Sequence, residues 1–424
     1  MMKFMACRIF LILLSAISLL AAPKIEQKEY AERREKLRTA TPDAAILIFS
    51  LKTGPEIHDR NGVFQEANFY YLTGWEEPNA ALLICSACPS DLKEVLFLPK
   101  RNERREKYEG RHLAPGDPDA TQKSGFAQVL STTQIESTLQ KALAEATNFY
   151  TLFDGHEADV QKLAPLRPLK DIRAQITALR MIKSTAEQAM LMHAIDATNE
   201  AHRVSWRTAK PGLHEYEVSS AMQDTYYRRG CERNAYPPIV GSGPNSVILH
   251  YSANKRRMDA GDLLLMDVGA ECNMYAADIT RTIPVNGKFT PRQREIYNLV
   301  LKAQEAAIAQ AKPGIKLADL TRFAQEYLDK QGKGPNGKPW RDYMIHSISH
   351  HIGLDVHDPF DANAPMAEGM VVTVEPGIYL AEENLGVRIE DMIVFTKDGA
   401  KLMSAALPKT VEEIEKEMKQ EIKH

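Results

Sequence analysis

The sequence predicts an α/β (α+β) protein of two domains, a smaller N-terminal one and a larger C-terminal one. Three observations lead there. Short apolar runs alternate with helical stretches up to about residue 170, the pattern of a sheet flanked by helices. Prolines at 165 and 168 in "LAPLRPLK" interrupt that pattern and mark a linker. Beyond them, a helical stretch followed by a hairpin with acidic residues in its arms occurs twice.

Taken in order, "EQKEYAERREKLRTA" reads as a helix and "AAILIFS" at 44–50 as a buried strand. "NFYYLTGW" at 68–75, "AALLIC" at 80–85 and "EVLFLP" at 94–99 follow as strands because aromatic and branched residues favour the pleated state. Residues 132–146 carry a helical period. A long helical pattern runs from Ile172 to about Ala209, and "KPGLHEYEV" opens another helix. Residues 236–285 change to strands and glycine turns, 290–331 return to helix, and 340–396 are strand and loop. "VEEIEKEMKQEIKH" at the end is charged nearly all round and reads as a solvated helix or frayed tail. The expected division is 24–170, 171–408 and a charged tail at 409–424.

Residues 1–22 read as a secretory signal. Lys3 and Arg8 precede "IFLILLSAISLLAA", and small residues close the apolar run. Cleavage is expected after Ala22 or within "AIS" at 16–18, and membrane attachment only if the segment stays uncut. The protein is therefore expected to be exported, periplasmic or secreted, with the cytoplasm as the weaker reading. Elsewhere no run is apolar enough over ~20 residues to span a bilayer. A net charge of -3 argues against nucleic acid as a partner, since phosphate binding needs a basic surplus. Cys7 would leave with the signal. Cys85, Cys88, Cys231 and Cys272 read as structural, with one disulfide in an oxidising compartment. "CSAC" has redox spacing but no second CxxC to complete a zinc site.

The acidic residues are the anomaly. In "LLLMDVGAECNMYAADITRTIPV", residues 263–285, a turn at 271–274 sets Asp267 directly opposite Asp278. Opposed residues share a face with Cβ atoms roughly 5 Å apart. In "VVTVEPGIYLAEENLGVRIEDMIVF", residues 371–395, a turn near 382–384 opposes Glu375 and Glu390. Like charges facing each other in apolar strands repel unless a cation lies between them. Four carboxylates suit two divalent ions, and oxygen-rich coordination favours a harder metal such as Mn²⁺. "HSISHHIGLDVHDP" at 346–359 packs four histidines and two aspartates into fourteen positions, enough to supply nitrogen ligands. His250, at the end of the apolar run "SVILHY", reads by itself as a core histidine and becomes a site candidate only beside the other blocks.

These blocks resemble aminopeptidase P, the Xaa-Pro aminopeptidases of the pita-bread metallopeptidase family. "IVGSGPNSVILHY", "MDVGAECNMYAADITRTIPVNGKFT", "HSISHHIGLDVHD", "VVTVEPGIY" and "GVRIED" stand in the family's order. "EYAERREKL", "NFYYLTGWEEPNA" and "RMIKSTAEQ" look like its N-terminal domain and the start of its catalytic domain. The resemblance implies a creatinase/aminopeptidase P-type N-terminal domain followed by a pita-bread catalytic domain. It implies Asp267, Asp278, His350, Glu375 and Glu390 as ligands of two divalent ions, with Asp278 and Glu390 bridging. It implies His250, His357 and Glu375 as catalytic, and His250, His346, His357 and Arg388 as substrate-binding, with His351 a bystander lining the pocket. The implied reaction is release of the first residue before a penultimate proline, by a hydroxide shared between the ions. A homo-oligomer, dimer or tetramer, is also implied. A prolidase acting on Xaa-Pro dipeptides is the runner-up with the same ligands. A peptide-binding module without catalysis is a weaker alternative, since no ligand is missing. Pro237 and Pro238 depart from the polar residues many relatives carry, which bears on a substrate loop.

Overall fold

The computed structural model describes residues 23–52 and 64–419. The signal reading therefore falls outside the described residues. Among those described, no helix is long and apolar enough to cross a membrane.

The N-terminal domain is built on one mixed sheet. Its six strands run in the order Gln128–Ser131, Glu94–Leu98, Ala81–Cys85, Ala44–Phe49, Asn148–Thr151 and Leu169–Asp171. Alternation along the central strand sends Ala45 and Leu47 to one face, where Leu139, Ala142 and Leu143 of the helix Ile135–Glu145 pack. Ile46 and Ile48 face the other way, into a core continuous with the C-terminal domain. The residues read as a linker thus include an edge strand, Leu169–Asp171, paired with Asn148–Thr151.

"NFYYLTGW" is a helix, Ala67–Thr73, and not a strand. Glu66 caps it by accepting from the Asn68 and Phe69 amides, and Gly74 ends it at φ +63°. Those local caps override the strand preference of its aromatics, and its buried face carries Phe69 to Thr73. The helical pattern from Ile172 is two helices, Arg173–Arg180 and Thr185–Thr208, because Ser184 and Glu187 form a capping box that starts the second afresh.

In the C-terminal domain, Leu263–Val268 is the centre of a three-stranded antiparallel sheet between Ile239–Ser242 and Ile279–Pro284. A second such sheet has Asp391–Phe395 between Val371–Val374 and Ala400–Leu402. The helices Thr185–Thr208, Glu215–Arg228, Pro291–Ile308 and Leu317–Asp329 send apolar stripes into the shared core.

The described part of the tail, residues 409–419, packs against the body. Thr410 caps the helix Val411–Glu417, Val411 and Ile414 are buried, and Glu417 Oε1 lies 3.0 Å from both Arg203 Nη1 and Arg207 Nη2. Two disulfides are present where one was expected, Cys85–Cys88 and Cys231–Cys272. The second ties the end of one helix to the turn of the Asp267 hairpin.

Candidate metal centre

Both hairpins bring their carboxylates to one place, by different registers. In the first, Asp267 pairs with Thr280, so Asp278 lies two residues beyond the position directly opposite. The turn sits at Asn273 and Met274, both with positive φ, one position past the centre assumed from sequence. The two aspartates are diagonal neighbours, still on the same face. In the second hairpin, Gly377 pairs with Arg388 and Val374 with Asp391. That register sets Glu375 opposite Glu390, as the spacing predicts. The Glu390 amide donates to the Thr280 carbonyl at 3.1 Å and stitches one hairpin to the other.

His350 arrives on the segment that flanks the strand Val371–Val374. Its amide donates to Thr373 Oγ1 at 3.1 Å, and the Thr373 amide donates to its carbonyl at 3.0 Å. Its Nδ1 lies 3.0 Å from the His351 carbonyl, which leaves Nε2 facing Asp278 Oδ2 at 3.3 Å and Glu375 Oε1 at 3.4 Å. Donor atoms of Asp278, His350 and Glu390 all lie within 4.8 Å of one another. All nine residues picked out from the sequence, including His250, His346, His357 and Arg388, line one cavity of about 570 Å³. His250 is not on a strand: it is exposed in a turn after the short helical segment Gly243–Val247.

The electrostatics are lopsided. Arg388 is buried and pairs with Asp267 Oδ2 at 2.6 Å, and its other nitrogen donates to the Tyr379 hydroxyl at 2.8 Å. Three further carboxylates have no such guanidinium. Burial, then Asp267 and Glu375, push Asp278 well above the usual carboxylate range. Burial, then Asp278 and Asp267, do the same to Glu390. Burial and the facing Glu390 lift Glu375 to about 8. Tyr236, absent from the sequence reading, sits over both aspartates, 2.6 Å from Asp267 Oδ1 and 2.5 Å from Asp278 Oδ1. One hydroxyl carries one proton, so it satisfies one of these oxygens and leaves the other in need of a positive partner. The donor set, four carboxylates and an imidazole aimed at one space, fits divalent cations of the harder class. His193, Cys231 and Cys272 also lie close together, but those sulfurs are joined to each other.

The remaining histidines differ in what holds them. His346 Nε2 is 2.8 Å from the Tyr379 hydroxyl, and burial lowers its pKa. The His357 ring lies edge-on to His350 at 4.2 Å. His351 is buried, stacked on Phe360, and burial lowers it to about 4. It does not line the cavity, so the expected place on the pocket wall is not where it sits. Tyr379 was also missed, although its two-residue offset from Gly377 in the Glu375 hairpin puts it on the same face as that strand's acid.

Comparison with known proteins agrees with this architecture. A family model for metallopeptidase family M24 matches residues 189–397, and one for the aminopeptidase P N-terminal domain matches residues 30–151. The Xaa-Pro aminopeptidase of Haemophilus influenzae is 36% identical over 92% of this chain and 97% of that protein. That of Escherichia coli is 34% identical over 92% of this chain and 98% of that protein. The structure of Pseudomonas aeruginosa aminopeptidase PepP superposes with a TM-score of 0.86 at 28% identity, covering 93% of this chain and 98% of that one. With both domains matched and the likeness running along nearly the whole length, the chain belongs to metallopeptidase family M24 and carries the aminopeptidase P N-terminal domain.

Proposed function

We propose that the protein is a metallo-exopeptidase that releases the N-terminal residue from peptides with proline in the second position. One observation carries the reading: four carboxylates, three of them buried and Glu375 half-buried, converge with His350 in a cavity that His250, His346 and His357 also line. Asp267, Asp278, His350, Glu375 and Glu390 would hold two divalent ions, with Mn²⁺ the best match to their oxygen-rich set. Ions held there supply activation of water and polarisation of the scissile carbonyl.

The chain's own groups do the rest. Glu375 takes the nucleophile's proton on a carboxylate oxygen and delivers it to the leaving proline nitrogen. His250, exposed on the cavity wall, donates to the oxyanion that develops on the carbonyl. His357 holds the next carbonyl of the peptide, and the Tyr379 hydroxyl fixes His346 beside the substrate. Arg388 braces Asp267 through a charge-assisted bond. The bond before proline is a tertiary amide without an N–H, so a cavity that accepts the ring selects it; Pro237, Ile239, Leu249 and Val356 supply apolar wall. The two disulfides support export to an oxidising compartment. A homo-oligomer is proposed with it.

The test uses protein stripped with chelator and reloaded with Mn²⁺. Release of the first residue is compared for Xaa-Pro-Yaa peptides, Xaa-Pro dipeptides and Xaa-Ala-Yaa peptides. Metal-dependent cleavage of the longer proline peptides alone is expected. Preference for the dipeptide makes the protein a prolidase, and binding of metal without cleavage of any peptide overturns catalysis.

A further inference from the structure

The stretch "RMIKS" at 180–184 lies outside the cavity, and the functional reading gives it no task. Its two cations are nonetheless among the most deeply buried charges in the molecule. Arg180 is 2% exposed and Lys183 3%. Both point at Asp358, the residue after His357. Arg180 Nη2 lies 2.6 Å from Asp358 Oδ1, and Lys183 Nζ lies 2.9 Å from Oδ2. The same Arg180 nitrogen reaches Asp355 Oδ2 at 2.7 Å, while Nη1 donates to Asn68 Oδ1 of the N-terminal domain at 2.8 Å.

What the cage holds is a turn, and the turn holds an imidazole. The Asp358 amide donates to the His351 carbonyl at 2.9 Å. That carbonyl is also the partner of His350 Nδ1 at 3.0 Å, the contact that leaves Nε2 free to face Asp278 and Glu375. The Asp355 amide closes back on Asp358 Oδ1 at 3.2 Å. There is no slack inside: a Cβ on Gly353 would lie 2.8 Å from Asp358 Oδ2. A charged pair this far from water is a poor source of net stability, because desolvation offsets the Coulomb attraction. It does fix geometry, since a two-pronged salt bridge admits one arrangement of the turn.

We infer that Arg180 and Lys183 are positioning residues for the metal centre. Through the Asp358 carboxylate they lock the turn 351–358, and so orient His350 and place His357. Arg180 extends the lock to Asn68, so the N-terminal domain helps to set the ligand's angle. The inference rests on the functional reading above, in which His350 is a ligand. Partners of metal-binding histidines are known to tune affinity in this way.

The experiment compares wild type, Lys183→Met, Lys183→Arg and Arg180→Lys. Mn²⁺ affinity is measured by calorimetry on chelator-stripped protein, beside kcat, KM and the urea midpoint. Lys183→Met is expected to weaken Mn²⁺ binding by roughly 10- to 100-fold and to lower kcat more than it raises KM. Lys183→Arg should recover much of both, and Arg180→Lys, which keeps the charge but loses the fork, should fall between. A merely structural role would lower the urea midpoint and leave the affinity of the folded protein unchanged, which overturns the inference. Should Lys183→Met fail to fold, Arg180→Lys decides alone: wild-type affinity and kcat sink the idea. If wild type itself binds no Mn²⁺, the functional reading falls and takes this inference with it; if wild type binds and cleaves while all variants match it, only this inference falls.

Discussion

Glu390 and Asp391 are chain neighbours where the strand Asp391–Phe395 begins, both fully buried, and they meet opposite fates. Asp391 has everything a buried carboxylate needs. Arg281 lies 2.8 Å away, Lys409 2.9 Å, and the Ser404 hydroxyl donates at 2.6 Å. Burial works against its charge, but Arg281 and Lys409 outweigh that and hold its pKa below the ordinary value. Glu390 has one hydroxyl donor, Thr280, and faces two aspartates. The protein can evidently neutralise a buried acid when neutrality is the purpose. Its failure to do so one residue earlier marks the place where positive charge must come from outside the chain.

The strongest break of this contrast is Glu390→Ala. It should lower both Mn²⁺ affinity and proline-specific hydrolysis by more than ~100-fold, beyond what loss of a supporting partner costs. The metal-stripped variant should be no less stable to urea than stripped wild type, since a repulsion has been removed. Retained hydrolysis would end the metal reading. Asp391→Ala should do the reverse, lowering stability by about 3–5 kcal/mol, because it leaves Arg281 and Lys409 buried without their partner. Calorimetry on its folded fraction should find Mn²⁺ affinity within a few-fold of wild type.

pH sharpens the same comparison. Glu375 is lifted from an ordinary value of 4.5 to about 8 in the metal-free protein. A carboxyl with a raised native pKa keeps its proton longer in the folded state, so the folded state binds more protons across that interval. Its stabilising contribution is full below about 4.5 and is lost as pH climbs through about 8. Stripped protein should therefore lose urea resistance between those values, and added Mn²⁺ should flatten the profile. A stripped protein whose stability rises steadily over that range would show that the acids are not raised.

Much of this was legible in the sequence, and for a physical reason. An acid in a run of branched apolar residues is conspicuous, so Glu375 and Glu390 announced their pairing and their register. Asp267 and Asp278 were placed on the right face but two residues out, because the turn at Asn273 and Met274 lacks a glycine to mark its centre. "NFYYLTGW" misled because its aromatics favour strands, while the deciding contact is a local cap by Glu66. Tyr236, Arg180 and Lys183 could not be assigned from spacing, since their partners are 31 to 178 positions away. Contacts of that range leave no periodic trace.

The smallest expected effect concerns two neighbours in the histidine-rich stretch. His350 and His351 share a dipeptide, yet only His350 faces the carboxylates. His351 turns into the core, stacks on Phe360, and leaves Nδ1 buried without a hydrogen-bond partner. Burial and the nearby Lys183 hold it near 4, so it carries no charge at neutral pH. A neutral ring with an unsatisfied nitrogen gains from losing that nitrogen, since an unmade buried hydrogen bond costs about 1–3 kcal/mol. His351→Phe should thus keep hydrolysis within about twofold and match or exceed wild-type stability, for it preserves the stack and the backbone carbonyl that orients His350. His350→Ala should behave like Glu390→Ala. If His351→Phe instead abolished Mn²⁺ binding while remaining folded, the ligand would have been assigned to the wrong member of the pair.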